Sequence, residues 1–261
     1  MHSADIRRAA ETLWRLWQSG DVIEALPAAI TPQTRAAGYA MQAEFDRLSS
    51  NSRVGWKIAA TSVAGQRHIG VDGPLAGRIF ASRVKRPGAV ISLDKNRMRV
   101  AEPEFAFRFA TTLVPRSAPY TTEDVMAAVG SLHLAIELPD SRFSDFARAG
   151  GPSLIADNAC AHELVRGEAV SSDWRLLDLA THPVHATVGA RYERSGSGGN
   201  VLGDPRIALT WIVNELSALR IAMPAGEFVT TGTSVPPLEL VPGDDVVADF
   251  GPLGTIAVKV A

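Results

Sequence analysis

Two glutamates stand two residues apart in an alternating stretch, Val100-Ala101-Glu102-Pro103-Glu104-Phe105-Ala106-Phe107-Arg108-Phe109. Alternation with a period of two is typical of a β-strand, so Glu102 and Glu104 are predicted to lie side by side on one face. Like charges this close repel each other, which requires an explanation. Either the face is solvated above a phenylalanine-rich core, or the two carboxylates share a divalent cation.

A third carboxylate favours the cation. Glu137 interrupts an apolar run that begins near His133 and is typical of another strand. A carboxylate is costly to bury there without a partner, and hard divalent cations take oxygen ligands of this kind. Lys57 likewise lies in the middle of a predicted strand at 53–60. It is either an edge lysine whose ammonium reaches solvent or a pocket lysine that binds an anion.

The cysteine, the histidines and the glycine-rich segment give weaker indications of function. Cys160 and His162 could form a nucleophile and a base, but the surrounding residues offer no oxyanion hole, so a small buried cysteine is favoured. His182 and His185 have no cysteine or acid around them and are interpreted as loop and strand histidines. The glycine-rich segment 195–200 is interpreted as a flexible loop, because its spacing does not match phosphate-binding motifs.

Composition excludes several classes of function. The chain has 261 residues, is 46% hydrophobic and carries a net charge of −2, which gives a sizeable core and no electrostatic footprint for nucleic acid or membrane. One cysteine rules out an internal disulfide and favours a reducing compartment. The first residues have no apolar segment after their charges, so a secretory leader is not expected, and no run of about 18 apolar residues occurs to span a bilayer. We therefore expect a soluble cytoplasmic protein that acts on a small molecule.

The elements that must position these residues begin with helices. Ser3 is predicted to cap a helix that ends near Gln18, and Thr31 with Pro32 to open a second one that ends near Leu48. Because both precede all predicted strands, residues 1–50 are expected to form an N-terminal helical lobe. Residues 51–261 are expected to form a β-rich catalytic domain.

The order of several short motifs, from about Tyr39 to Val260, resembles one branch of the fumarylacetoacetate hydrolase superfamily, that of 2-keto-4-pentenoate hydratase and 4-oxalocrotonate decarboxylase. The motifs are Gly55-Trp56-Lys57-Ile58, Ile69-Gly70-Val71-Asp72-Gly73-Pro74, Glu102-Pro103-Glu104-Phe105-Ala106-Phe107, Ile136-Glu137-Leu138-Pro139-Asp140-Ser141-Arg142, Ala156-Asp157-Asn158-Ala159, Leu202-Gly203-Asp204-Pro205, Thr231-Gly232-Thr233 and Pro242-Gly243-Asp244. The resemblance implies an α+β fold, with a mixed β-roll core of the fumarylacetoacetate hydrolase type behind the helical lobe.

The resemblance also implies a site and a reaction. Glu102, Glu104 and Glu137 match the ligands of a magnesium- or manganese-type cation, and Lys57 matches the active-site lysine. In that family a 2-oxo or 2-hydroxydienoic acid chelates the metal. The implied activity is a hydratase of aromatic-compound catabolism, which adds water to a 2-hydroxy-2,4-dienoate or 2-oxo-4-enoate through a metal-stabilised enolate. Family members tend to be homo-oligomers, so we expect one here.

The chain departs from the family pattern at two positions. Leu75 stands where the family typically carries an aspartate thought to transfer protons, and Cys160 stands where a serine is usual. Both are expected to contact the substrate, as is Thr233. Asp140 and Asp157 are expected to support the site from behind, although Asp140 could equally be a turn former.

Three alternatives to the hydratase therefore stay open. One is a decarboxylase of the 4-oxalocrotonate type. Another is a hydrolase that cleaves an acylpyruvate-like diketo acid, which needs a His–Glu pair; residues 3–67 offer no convincing histidine for it. The last is a degenerate, non-catalytic member that only binds a 2-oxo acid, motivated by Leu75 and Cys160.

Overall fold

Two β-sheets and seven α-helices make up the computed structural model, which describes residues 1–261. The helices are α1 (Ser3–Ser19), α2 (Arg35–Ala43), α3 (Phe45–Leu48), α4 (Val63–His68), α5 (Thr122–Ala128), α6 (Gly151–Ala156) and α7 (Pro205–Ala218). The strands are β1 (Arg53–Ala59), β2 (Leu75–Phe80), β3 (Val84–Lys85), β4 (Val90–Ile91), β5 (Val100–Phe109), β6 (Val129–Leu138), β7 (Glu163–Ala169), β8 (Pro183–Val188), β9 (Tyr192–Ser197), β10 (Phe228–Thr233), β11 (Leu238–Glu239), β12 (Asp245–Asp249) and β13 (Thr255–Val260). The expected α+β class is confirmed.

The larger sheet contains the predicted glutamates. Its strands follow the order β2-β1-β10-β5-β6-β7-β3, with β11 paired to β5. Strands β1 and β10 run parallel, whereas β5 runs antiparallel to both β10 and β6. The sheet is therefore mixed, as the resemblance implied. In the pairing of β5 with β6, Glu102 lies directly opposite Glu137.

The smaller sheet has the order β4-β13-β12-β8-β9. Strands β12 and β13 pair across Gly251–Leu253, as predicted. The interpretation of 195–200 as a flexible loop is wrong, because Ser195 pairs with His185 in the β8-β9 hairpin and a 3-10 turn follows at Gly198–Asn200. The glycines serve close packing: a Cβ on Gly198 would lie 2.0 Å from the carbonyl oxygen of Leu179.

The N-terminal helices bury a hydrophobic cluster of their own. It contains Leu13, Trp17 and Phe45 from the helices, together with Phe80 and Phe143 from the rest of the chain. Because that cluster joins residues from both sides of position 50, the division into a lobe at 1–50 and a domain at 51–261 stays a prediction. None of the helices combines the length and the apolar character needed to cross a membrane.

Both predicted helix caps are wrong. Helix α1 begins at Ser3 itself, and the residue before it, His2, makes no capping hydrogen bond. Helix α2 begins three residues later than expected, where Thr34 accepts a hydrogen bond from the backbone N–H of Ala37. Thr31 lies three residues before this N-cap, at the end of the preceding 3-10 turn, where its hydroxyl donates to the carbonyl oxygen of Leu26 at 2.9 Å.

Candidate metal centre and substrate cavity

Three glutamates converge between two central strands. Glu102 and Glu104 project from β5, Glu137 projects from β6, and one carboxylate oxygen of each lies within 4.8 Å of the others. Glu104 is fully buried and Glu137 is 2% exposed, whereas Glu102 is half-buried. The solvated-face interpretation of this strand is therefore wrong, because other elements cover the face that carries the glutamates.

The cluster has unused ligand capacity. Glu104 accepts a hydrogen bond through Oε2 from the backbone N–H of Gly232 at 2.8 Å, but its Oε1 and the Oε2 of Glu137 have no hydrogen-bond partner. Buried carboxylate oxygens without partners are unfavourable, and oxygen ligands of this type are what hard divalent cations bind. The residues present thus fit a divalent cation held by all three carboxylates.

Charge repulsion among the three glutamates also favours a bound cation. Burial raises the pKa of all three carboxyl groups. The charge of Glu137 adds to this rise, and the pKa of Glu102 reaches about 7. In the absence of a cation, the cluster therefore resists full ionisation. A dication would favour the ionised form of every member.

Lys57 lies in the same cluster. Its Nζ is 3.2 Å from Oε1 of Glu137 and donates a hydrogen bond to the carbonyl oxygen of Ala159 at 3.1 Å. The side chain is almost fully buried, so the edge-lysine interpretation is wrong. Burial acts to lower the pKa of Lys57, but the charges of Glu137 and Glu102 outweigh it and raise the pKa above 10.5. The ion pair with Glu137 therefore favours the ammonium form of Lys57.

A left-handed turn holds the other partner of Lys57. Asn158, Ala159 and Cys160 all have positive φ, at 57°, 50° and 60°, which is strained for residues other than glycine. The side chain of Asn158 clamps this turn to β2, since its Oδ1 accepts from the N–H of Arg78 at 2.7 Å and its Nδ2 donates to the carbonyl oxygen of Arg78 at 2.9 Å. The turn thereby aims the carbonyl oxygen of Ala159 at Lys57.

A bulge orients Glu104. The pairing of β10 with β5 slips by one residue between Thr230 and Thr233, and Gly232 adopts a φ of +105° there. The bulge points the N–H of Gly232 at the carboxylate of Glu104. A Cβ at Gly232 would lie 2.1 Å from Oγ1 of Thr61, so both the conformation and the space require glycine.

A cavity of about 640 Å³ opens beside the cluster. Its walls include Lys57, Glu102 and all three residues expected to contact the substrate, Leu75, Cys160 and Thr233. Leu75 is 1% exposed and begins β2. Thr233 donates its hydroxyl to the carbonyl oxygen of Val235 at 2.6 Å. The structure thus brings these side chains to one space, and their contact with substrate stays a prediction.

Cys160 does not have the environment of a nucleophile. Burial raises the pKa of its thiol to about 12. The neighbouring imidazole of His162 points elsewhere, because its Nδ1 accepts a hydrogen bond from Nε1 of Trp17 at 2.9 Å. The preference for a small, neutral cysteine is consistent with both observations.

Asp140 and Asp157 support loops and do not line the cavity. Asp140 accepts hydrogen bonds from the N–H groups of Arg97 and Met98 and so fixes the segment that leads into β5. Asp157 accepts from the hydroxyl of Ser141 at 2.7 Å and pairs with the guanidinium of Arg142. It thereby anchors the start of the left-handed turn.

One residue in the cavity wall was missed by the sequence analysis. His68, at the end of α4, lines the cavity, and its ring packs edge-on against Phe146 with the centroids 5.7 Å apart. It lies one residue beyond the range 3–67 that was considered for a hydrolytic His–Glu pair. No carboxylate lies within ion-pair distance of it, so such a pair is absent. In the sequence, His68 lies between Lys57 and Leu75, two residues already assigned to the site, and this position could have indicated that it lines the cavity.

The sequence is similar to characterised proteins over most of its length. It is 31% identical over 216 residues to 2-hydroxyhexa-2,4-dienoate hydratase of Comamonas testosteroni, which covers 82% of this chain and 80% of that protein. The chain belongs to the hydratase and decarboxylase branch of the fumarylacetoacetate hydrolase superfamily.

The chain is also similar in sequence and in fold to other members of this branch. The chain is 29% identical over 251 residues to 2-keto-4-pentenoate hydratase of Paraburkholderia xenovorans, covering 95% of this chain and 92% of that protein. The fold matches that of 4-oxalocrotonate decarboxylase from Pseudomonas putida G7, solved with magnesium and adipate, with a TM-score of 0.91, 24% identity and coverage of 100% and 99%. No protein-family model matches the chain.

Proposed function

We propose that this member of the hydratase and decarboxylase branch is a divalent-metal-dependent hydro-lyase that adds water to a 2-hydroxy-2,4-dienoate or its 2-oxo-4-enoate tautomer. The observation that carries the proposal is the buried set of three glutamates with two unpartnered carboxylate oxygens, beside a cavity that also receives Lys57. The names of the similar hydratases give the reaction its class.

Glu102, Glu104 and Glu137 would hold the cation. We propose Mg²⁺ or Mn²⁺, since carboxylate-only sites suit hard cations, and the structurally similar decarboxylase was solved with magnesium and with calcium. When bound, the cation supplies Lewis-acid stabilisation of the negative charge that develops on the oxygen at C2. The N–H of Gly232 binds one oxygen of Glu104, and the other oxygen, which has no hydrogen-bond partner, would be available to bind the cation.

Lys57 supplies the other positive charge. Its ammonium is positioned to neutralise the carboxylate of the substrate or to deliver a proton to the conjugated chain, because it is charged, buried and part of the cavity wall. Leu75 cannot titrate, and Cys160 retains its proton. The apolar cavity wall excludes bulk water and strengthens both electrostatic interactions.

The test uses the absorbance of the dienol. Metal-stripped protein is mixed with 2-hydroxypenta-2,4-dienoate, with and without added Mg²⁺ or Mn²⁺, and the product is identified by NMR. Metal-dependent loss of the absorbance with formation of a 4-hydroxy-2-oxo acid is expected. Tight metal binding without this conversion would reject the hydratase. Release of carbon dioxide from 4-oxalocrotonate would then identify a decarboxylase, and cleavage of an acylpyruvate a hydrolase.

Leu75 also allows a test of the non-catalytic alternative. Leu75→Asp restores a titratable group, and Leu75→Asn is its uncharged control. A hydratase that works without the aspartate gains little from either substitution. A large gain with Leu75→Asp alone would mean that the natural chain has lost catalytic power at this position.

The expected homo-oligomer and cytoplasmic location remain proposals. Light scattering behind size-exclusion chromatography tests the first and fractionation of the source cells tests the second. A monomer at working concentration would reject the oligomer.

A further inference from the structure

The cavity is apolar away from the metal-binding cluster. We call the side chains of Leu75, Met98, Val100, Phe146, Leu154 and Val235 the apolar wall; all of them line the cavity. They come from two strands, an α-helix, a 3-10 turn and two connecting segments, so the apolar character is not a property of one element. Such a wall stabilises a ligand by removing apolar surface from water.

The same cavity offers no cation for a second acidic group. Lys57 is the only lysine or arginine among its lining residues, and it is already held by Glu137 and Ala159. Arg97 and Arg99 flank Met98, but both are exposed and neither lines the cavity. The remaining basic side chain is His68, whose ring packs edge-on against Phe146.

The charge balance of the site also disfavours a substrate with a second acidic group. Three carboxylates are offset by Lys57 together with one dication, which leaves a neutral site for the single carboxylate of a 2-oxo acid. A second carboxylate at the far end of the substrate would be desolvated against the apolar wall without a lysine or arginine to pair with. That arrangement is strongly unfavourable.

The volume exceeds the needs of a short substrate. 2-Hydroxyhexa-2,4-dienoic acid has nine non-hydrogen atoms. Even at the roughly 30 Å³ that one water molecule takes in the liquid, these atoms fill less than half of the 640 Å³ cavity. The space is within the range of about 300–1,000 Å³ that accommodates larger ligands.

We propose that this site selects substrates whose tail at C5 is uncharged, apolar and about the size of a cyclohexyl group, and that it discriminates against dicarboxylates. The inference rests on the proposed hydratase function for the position of the 2-oxo acid group. The tail would lie against the apolar wall.

Binding of saturated 2-oxo acids tests the inference without requiring turnover. Titration calorimetry at pH 8 with the Mg²⁺-loaded protein compares 2-oxopentanoate, 5-cyclohexyl-2-oxopentanoate and 2-oxoadipate. We expect the cyclohexyl acid to bind at least tenfold more tightly than 2-oxopentanoate, and 2-oxoadipate no more tightly. If 2-oxoadipate binds as well as the cyclohexyl acid, or all three bind alike, the inference is overturned while the proposed function stands. If none binds, the proposed function fails as well.

Two variants assign the effect to the apolar wall. Phe146→Ala should weaken binding of the cyclohexyl acid at least fivefold and leave 2-oxopentanoate within twofold. Met98→Arg, which adds a cation to the apolar wall, should tighten binding of 2-oxoadipate at least tenfold. Val247→Ala, an exposed residue outside the cavity, serves as the control. A folded Phe146→Ala protein with unchanged affinity for the cyclohexyl acid would overturn the subsite.

Discussion

Nζ of Lys57 lies 3.2 Å from Oε1 of Glu137, although two strands, β10 and β5, separate their strands in the sheet. Neighbouring strands are about 4.8 Å apart, so three such steps would place the two backbones about 14 Å apart in a flat sheet. The sheet is curled, which shortens the gap that these two side chains bridge. The curl gathers the lysine and the three glutamates at the wall of one cavity.

Lys57→Met tests this pair. We expect kcat to fall at least a hundredfold, because the variant loses the only cationic side chain in the cavity wall. Removing one partner of a buried pair typically costs about 3–5 kcal/mol, so the metal-free variant should also unfold at lower urea concentration. Added Mg²⁺ should restore part of this loss. Lys259→Met, which breaks an exposed pair with Asp245, is the control, and equal effects of both substitutions would contradict the assignment.

Glu104→Gln should abolish metal binding and turnover together. The amide keeps the size of the side chain and can still accept from Gly232, but it removes one of three anionic ligands. Mn²⁺ binding followed by electron paramagnetic resonance, alongside the dienol assay, separates the two effects. Turnover that survives without bound metal would refute the proposed role. Glu239→Gln, at an exposed position, should change neither.

Gly77→Ala should damage the site through the left-handed turn. A Cβ at Gly77 would lie 2.3 Å from the carbonyl oxygen of Asn158 and 3.1 Å from Cδ of Lys57, so the turn and the lysine must move. Overpacking of this kind typically costs about 1–3 kcal/mol, and we expect a lower kcat in addition. Gly73→Ala is the matched control, because no atom lies within 4 Å of its added Cβ. Urea unfolding and steady-state kinetics measure both effects.

His162 should make stability depend on pH. Burial lowers the pKa of this imidazole from 6.5 to about 3, and its Nδ1 must stay unprotonated to accept from Trp17. The unfolded chain takes up the proton first, so the contribution is complete above pH 6.5 and is lost progressively as the pH falls towards 3. By pH 5 the loss amounts to roughly 2 kcal/mol.

His162→Gln isolates that contribution, because the amide oxygen can accept from Trp17 but cannot titrate. The variant should lose about 2 kcal/mol less than the natural chain between pH 7 and pH 5, measured by urea unfolding. Val247→Ala, at an exposed position without a titratable group, should follow the natural chain. Parallel curves for all three proteins would contradict the assignment.

Local patterns predicted part of this site. Alternation placed Glu102 and Glu104 on one face of a strand, and the apolar run around Glu137 predicted the strand β6. The burial of that face could not be read from alternation, since alternation looks the same whether a face meets solvent or another part of the chain. The resemblance to a family, and not the local pattern, predicted that the three glutamates and Lys57 belong to one site.

The remaining features depend on long-range contacts. The left-handed conformation of Asn158 is imposed by its hydrogen bonds to Arg78, which lies 80 residues earlier in the chain. His68 was overlooked because α4 has no buried residues and its sequence shows only a short helix. The cap at Thr34 was missed because Thr31 and Pro32 also form a good start signal, but Thr31 instead closes the preceding 3-10 turn.

Of the three carboxylates, only that of Glu102 lines the cavity, whereas Glu104 and Glu137 lie behind it. A cation that enters through this cavity follows the route that the substrate also takes. The order of events follows from this shared entrance: the cation enters first, and a bound 2-oxo acid then blocks its exit. A chelator should strip the resting protein quickly and the substrate-occupied protein slowly, so that a working enzyme retains its metal longer than an idle one.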